Sequence, residues 1–228
     1  MPSFAALAKR QGELIRKPLA GIIAVAEDTL ELDADFKLTT LAAGGAIELT
    51  ELTDWDQLGW VSKSDGVVFS ADTETSDVES WGALEPTRSD ITKDVTSAQF
   101  TCQETNKKVL EMFYNVDLSS TLGDFETGEV DFNQAVEPST TYRRMLFLSK
   151  DGSGPREVFI GKLMPRANVS AKSDQSWNSE DALTHGMTIT AKVDDEMGYA
   201  VRHMFGGEGW KAQITKMGFA LAPDPDNP

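Results

Sequence analysis

Cysteine is almost absent from this chain. Cys102 stands alone, so no intrachain disulfide and no thiolate zinc cluster can form. It is expected as a small, semi-buried residue at a strand end. Histidine is nearly as scarce. His185 and His203 lie 18 residues apart without an H-x-x-x-H spacing, so no metal site is expected. Long apolar runs are missing too: the longest, Pro18 to Ala26, is nine residues. A membrane-spanning helix needs about 20. Phe4, Leu7 and Ala8 precede Lys9-Arg10, the reverse of a signal peptide's order, so assembly in a cytoplasm is expected. The sequence holds no G-x-S-x-G, G-x-x-x-x-G-K-[ST] or H-E-x-x-H, and no enzymatic activity or cofactor is expected. The glycine clusters at 44–45 and 206–209 lack the strand-turn-helix context of a phosphate cradle and read as turns. Basic residues are few, 21 against 37 acids, for a net charge of −16 and a pI near 4.5. That excludes a protein that grips nucleic acid by neutralising phosphates. It does not exclude one that handles DNA by keeping it from sticking.

The material that is present suits a β-rich domain. The 228 residues are 40% hydrophobic and 25% charged, enough for a real core. The expected layout is one domain over 1–222, opening with an arm or short helix over 1–18 and followed by a mobile polar tail over 223–228. Ile22 to Val25 reads as a strand, and Ile47 and Leu49 alternate with Glu48 and Thr50. Leu58–Ser62 and Val67–Ala71 flank an Asp-Gly step and predict a hairpin with Trp60 and Phe69 as apolar partners. A Thr/Val-rich strand is expected over 91–103. The best helix runs from Asn106 to Tyr114, with Thr105 as N-cap and Asn115 at its end. Tyr142–Ser149 and Glu157–Leu163 form a second hairpin, 166–182 a surface loop, Met187–Val193 the cleanest alternating strand, and Trp210–Leu221 a last strand.

Charge patterning carries more information than any acid pair. Asp33/Asp35, Asp54/Asp56 and Asp77/Glu79 are close, but 37 acids make such pairs ordinary. Asp33-x-Asp35 lacks the glycine that a calcium loop needs. By contrast, residues 65–95 hold eight acids and two bases, whereas 143–166 hold six bases (Arg143, Arg144, Lys150, Arg156, Lys162, Arg166) and two acids. Either these are two solvated faces, or the basic surface of one copy meets the acidic surface of the next. Head-to-tail contacts that close make rings.

The order Gly59-Trp60, Asp65-Gly66-Val67-Val68-Phe69-Ser70, Glu74, Asp77-Val78, Trp81 and Pro86-Thr87-Arg88 resembles the major tail tube proteins of long-tailed bacteriophages, the siphophage type, and most closely those of actinobacterial phages. The extended strand leading through Gln103-Glu104-Thr105-Asn106 into a helix, the 142–159 hairpin and Gly206-Gly207-Glu208-Gly209-Trp210 continue the pattern, which covers roughly 40–220. The resemblance implies a mainly β subunit, a β-sandwich or β-barrel with one flanking helix and extended hairpins. Six subunits form a ring whose strands join into an inner β-barrel. Rings stack into a tube around a tape-measure protein, between a tail terminator and a distal tail protein. The tube, a virion component, conducts genomic DNA into the host through an acidic lumen without binding it specifically.

On this reading Asp72, Glu74, Asp77, Asp90 and Asp94 line the lumen. Arg143, Arg144, Arg156 and Lys162, with Trp60 and Trp81, meet a neighbouring subunit, and the arm or the acidic stretch 27–56 docks on the next ring. Replacing Arg143 and Arg144 with Glu is expected to block assembly and leave the monomer folded. Two other readings compete. One is a tail terminator or connector that stops at a single ring. The other is a carbohydrate-binding β-sandwich using Trp55, Trp81 and Trp177 for stacking.

Overall fold

The computed structural model describes residues 3–223; the part of the expected tail from Asp224 to Pro228 lies outside them. Ten strands, three short α-helices and two single-turn 3-10 helices are present among these residues. The strands are β1 (Ala20–Glu27), β2 (Thr39–Leu41), β3 (Ile47–Leu49), β4 (Asp56–Gln57), β5 (Val67–Val78), β6 (Arg88–Cys102), β7 (Arg143–Asp151), β8 (Val158–Lys172), β9 (His185–Lys192) and β10 (Arg202–Gly206). The helices are α1 (Phe4–Ala8), α2 (Lys107–Tyr114) and α3 (Glu208–Lys211). The protein is mainly β, as expected. Eight strands form one antiparallel sheet in the order β4-β1-β7-β8-β9-β6-β5, with β10 also on β8; β2 and β3 form a separate ribbon. The sheet does not close into a barrel within one chain.

Strand β8 organises the sheet. Its first half pairs with β7 on one edge and with β10, through Phe159–Leu163, on the other. Its second half, from Arg166 on, pairs with β9. The two halves are offset by a one-residue bulge where the register against β7 jumps from Met145↔Met164 to Arg143↔Ala167. Pro165 falls inside that bulge, where a missing N–H costs the ladder least.

The lower part of the sheet is covered on both faces, so Met145, Leu146, Phe147 and Leu148 are all buried in succession. One face packs Ile23, Val25, Met145, Phe147, Phe100 and Ile189 beneath Val109, Met112 and Phe113 of α2. The opposite face packs Ala24, Leu146, Leu148, Phe159, Leu163 and Met204 beneath Leu38 and the half-buried Leu32, Phe36, Leu52 and Trp55. Each buried side chain of Leu or Phe size contributes about 1.5–3 kcal/mol. Helix α2 starts one residue later than the sequence suggests. Asn106, not Thr105, is the cap: its Oδ1 accepts from the Val109 N–H at 3.0 Å while its Nδ2 donates to the Leu58 carbonyl at 3.2 Å. Asn115 ends the helix in the left-handed region, as read.

Four expectations are corrected. Leu58–Ser62 does not pair with Val67–Ala71. It runs beside the end of β6 instead, with Ser62 N–H on the Thr101 carbonyl and Gln103 N–H on that of Trp60. Gly66 turns the chain, but β5 then pairs with β6. The 166–182 stretch is not all loop, because β8 continues to Lys172. Trp210–Leu221 is not a strand but α3 and further turns. Gly207, at φ 100°, and Gly209, whose added Cβ would lie 2.4 Å from the Arg156 carbonyl, force the chain tightly against the β7–β8 turn. Trp55 is not displayed for stacking; it is packed under the sheet.

Candidate assembly surface

The residues of β5 and β6 have almost no core to bury, and their composition shows it. From Ser70 outwards they are mostly Ser, Thr, Asp and Glu, with Val78, Ile91 and Val95 too scattered to form an apolar stripe and Arg88 and Lys93 the cations. The two strands pair from Val67↔Phe100 out to Val78↔Arg88. Strand β9 meets β6 only from Ser97 to Cys102. Beyond that point the hairpin has no other strand partner among the described residues and projects roughly 25 Å from the body. An isolated two-stranded ribbon is marginal in water.

Two edges of the upper sheet are open. One is the whole of β5. The other is the end of β8, since β7 stops pairing at Arg143↔Ala167 while β8 runs on through Asn168 to Lys172. Between them lie β9 and β6, giving a four-stranded antiparallel patch in which β8 and β5 run in opposite directions. Open edges of this length are pairing sites for another chain. The hairpin tip adds apolar surface: Trp81 and Leu84 are fully exposed, with Val78 and Ile91 close by. Leu122, Phe125 and Val136 are also fully or nearly fully exposed on the long loop after α2. Patches of this kind mark interaction surfaces.

The register divides the five acids expected to act together. Phe69, Ala98 and Phe100 face the core, so Thr73, Thr75, Asp77 and Asp94 continue the core-side face. Asp72, Glu74 and Asp90 lie on the opposite, free face with Lys93 and Arg88. The one-residue shift between Glu74↔Lys93 and Thr75↔Ile91 keeps this division to the tip. Lys93 Nζ sits 2.6 Å from Asp72 and 2.7 Å from Glu74, and the hydrogen bonds it donates to these two carboxylates raise its pKa. Arg88 Nε is 2.7 Å from Asp90. On the other face Thr73 donates to Asp94 at 3.3 Å.

The basic residues expected at an interface do not form one patch. Arg143 and Arg144 lie at one end of the β7–β8 ribbon and the exposed Arg156 at its turn. Arg143 is held by Glu27 within the chain. Arg144 is 4% exposed; its Nη1 donates to Asp194 Oδ2 and to the Pro165 carbonyl, each at 3.2 Å. It is a structural ion pair that a neighbour cannot reach. Lys162 lies 3.8 Å from the Phe69 ring centroid, and burial lowers its pKa. Trp60 is exposed, with its backbone N–H donating to Glu104 Oε1 at 2.8 Å, and Trp81 is far away at the tip.

The sequence also concealed a three-acid clamp. Lys108 of α2 reaches Glu27 and Glu111 at 3.0 Å and Asp56 at 3.1 Å, tying the helix to β1 and β4. Burial alone would lower its pKa; the three carboxylates outweigh that and raise it. Cys102 is fully buried at the end of β6, and burial, then Glu104, pushes its thiol up to about 12. A thiol in that state is not a nucleophile. Among the described residues no helix is long and apolar enough to cross a membrane.

A sequence model of a family described as "Phage tail tube protein" matches residues 9–201, from the arm through β9 to the residue before β10. No curated protein matches the chain.

Proposed function

The chain belongs to the phage tail tube protein family, and on that premise we propose that it assembles as hexameric rings stacked into a tail tube that conducts genomic DNA into the host. The role is structural rather than enzymatic. The observation that carries the ring is the four-stranded upper patch with its two open edges. Strand β5 of one copy pairs antiparallel with the outer end of β8 of the next, and repetition closes the sheet around an axis. Closure removes both edges, which is the only complete cure for an exposed strand edge. It also gives the projecting hairpin partners on both sides.

In this arrangement the free face of the patch, with Asp72, Glu74 and Asp90, lines the lumen, whereas Asp77 and Asp94 turn towards the subunit body. The exposed tip, with Trp81 and Leu84, and the arm meet neighbouring copies. The tape-measure protein fills the tube during assembly in the host cytoplasm, and the tail terminator and distal tail protein cap its ends.

Negative-stain electron microscopy over a concentration series tests this. Stacked rings or hollow tubes of uniform width are expected. Single rings at every concentration would indicate a terminator or connector. Monomers throughout, even with the distal tail protein as a seed, would refute the tube.

A further inference from the structure

The chain's net charge is −16, yet the free face of the hairpin is almost balanced. It presents three carboxylates, Asp72, Glu74 and Asp90, and two cations, Lys93 and Arg88, each cation within 2.7 Å of a carboxylate. The rest of that face is neutral: Val68, Ser70, Ser76, Val95, Ser97 and Gln99. On β8 and β9 the same face continues with Thr188, Thr190 and Ser170 and carries two further cations opposite each other in register, Arg166 and the exposed Lys192. Arg166 lies 4.2 Å from the Tyr142 ring and 3.9 Å from Asp195. The acid surplus of the protein is therefore elsewhere, in large part on the 27–56 segment.

We infer that the surface this protein offers to duplex DNA is a charge-compensated one, in which Asp72 and Glu74 hold Lys93, and Asp90 holds Arg88, away from phosphate. On the β5–β6 hairpin, non-adhesion then comes from occupied cations rather than from a uniform negative field. The ion pairs have a second use, since a ribbon with no core needs cross-strand pairs to stay in register. Cations are useful for that purpose only if they do not also trap DNA. Duplex DNA gains affinity chiefly by releasing counterions to free Lys and Arg. An ammonium already shared by two carboxylates has little to offer. This inference rests on the tube reading for its biological meaning, but the surface property belongs to the single chain.

The test compares two variants of the full chain with the same change in net charge. Asp72→Asn/Glu74→Gln frees Lys93 on the free face. Asp77→Asn/Asp94→Asn removes two acids from the core-side face. Binding of a fluorescein-labelled duplex is read by anisotropy from about 50 to 200 mM salt, the range over which phosphate contacts weaken steeply. The expected result is about tenfold tighter binding for the first variant than for the second, with a salt slope steeper by about 1. Adding Lys93→Gln to the first variant should abolish the gain, which separates a freed cation from a loosened hairpin. Equal binding by the two double variants would overturn the inference and leave net charge as the controlling quantity. So would no gain in either, or a gain that survives Lys93→Gln. Microscopy of the same preparations reads ring formation independently. Absence of rings would count against the tube and leave the surface result intact.

Discussion

Arg144 and Asp194 allow the sharpest test of how this subunit is held together. The pair is buried, with Arg144 4% and Asp194 9% exposed. Asp194 works at both oxygens: Oδ2 accepts from Arg144, and Oδ1 accepts from the N–H groups of Glu196 and Met197 at 3.0 Å, closing the turn after β9. Asp194→Asn preserves an oxygen for the turn but leaves a guanidinium buried without its counter-charge. Removing one partner of a buried pair costs about 3–5 kcal/mol, and the slight exposure of Asp194 places this case near about 3. Asp194→Ala also loses the two turn hydrogen bonds, at about 1 kcal/mol each, for a total near 5. Arg144→Met/Asp194→Asn leaves no unpaired charge and should recover most of the loss. Arg144→Glu sets two carboxylates together in the interior and should prevent folding of the monomer itself, whereas Arg156→Glu at the exposed turn should change stability by no more than about 0.5 kcal/mol. Urea unfolding of the unassembled protein, followed by tryptophan fluorescence, measures the four variants expected to fold, and Arg144→Glu should show no cooperative transition. An Asp194→Asn variant within about 1 kcal/mol of wild type, or a double variant no better than the single, would refute the argument.

Asn106→Ala should cost about 1–2 kcal/mol in the same urea assay, because it uncaps α2 and strips the Leu58 carbonyl of its donor. Gly209→Ala should be poorly folded at any salt or pH, since its Cβ would lie 2.4 Å from the Arg156 carbonyl; soluble yield and circular dichroism give the answer. His185 is buried, and burial lowers its pKa from 6.5. Below 6.5 the unfolded chain takes up a proton that the folded chain refuses, so stability falls with pH until the folded value is reached. His185→Gln should flatten the fall of the urea midpoint below the ordinary histidine value of 6.5; an unchanged slope would assign the acid loss to carboxylates alone. Trp81→Ser removes a fully exposed indole, so it should leave monomer stability unchanged and reduce ring yield in micrographs.

Local chemistry was enough for the parts of this protein that local chemistry controls. Alternation of Met187, Ile189 and Ala191 marked β9, the Lys150–Pro155 turn marked the β7–β8 ribbon, and the Val109–Phe113 stripe marked α2. The same order of residues carried the tail tube resemblance, which the family match over 9–201 supports. Pairing partners were another matter. The Asp-Gly step at 65–66 marks a turn but cannot say whether the strand after it folds back or goes on to pair with Arg88–Cys102, because the ladder is chosen by partners from 10 (Val78↔Arg88) to 33 (Val67↔Phe100) residues away. Trp210–Leu221 read as a strand because its apolar residues are spaced ambiguously, and only the close approach of Gly209 to Arg156 turns it into helix. The split of Asp72, Glu74 and Asp90 from Asp77 and Asp94 depends on a parity set by Phe69 and Phe100 entering the core and on a single shift near residue 74. Arg144 and Arg156 carry the same charge in the same basic run, and burial alone made one an internal strut and left the other on the surface. Which residues form strands follows from the chain's own alternation and turns; which faces and edges those strands present follows from register, and register is settled only when distant strands pack.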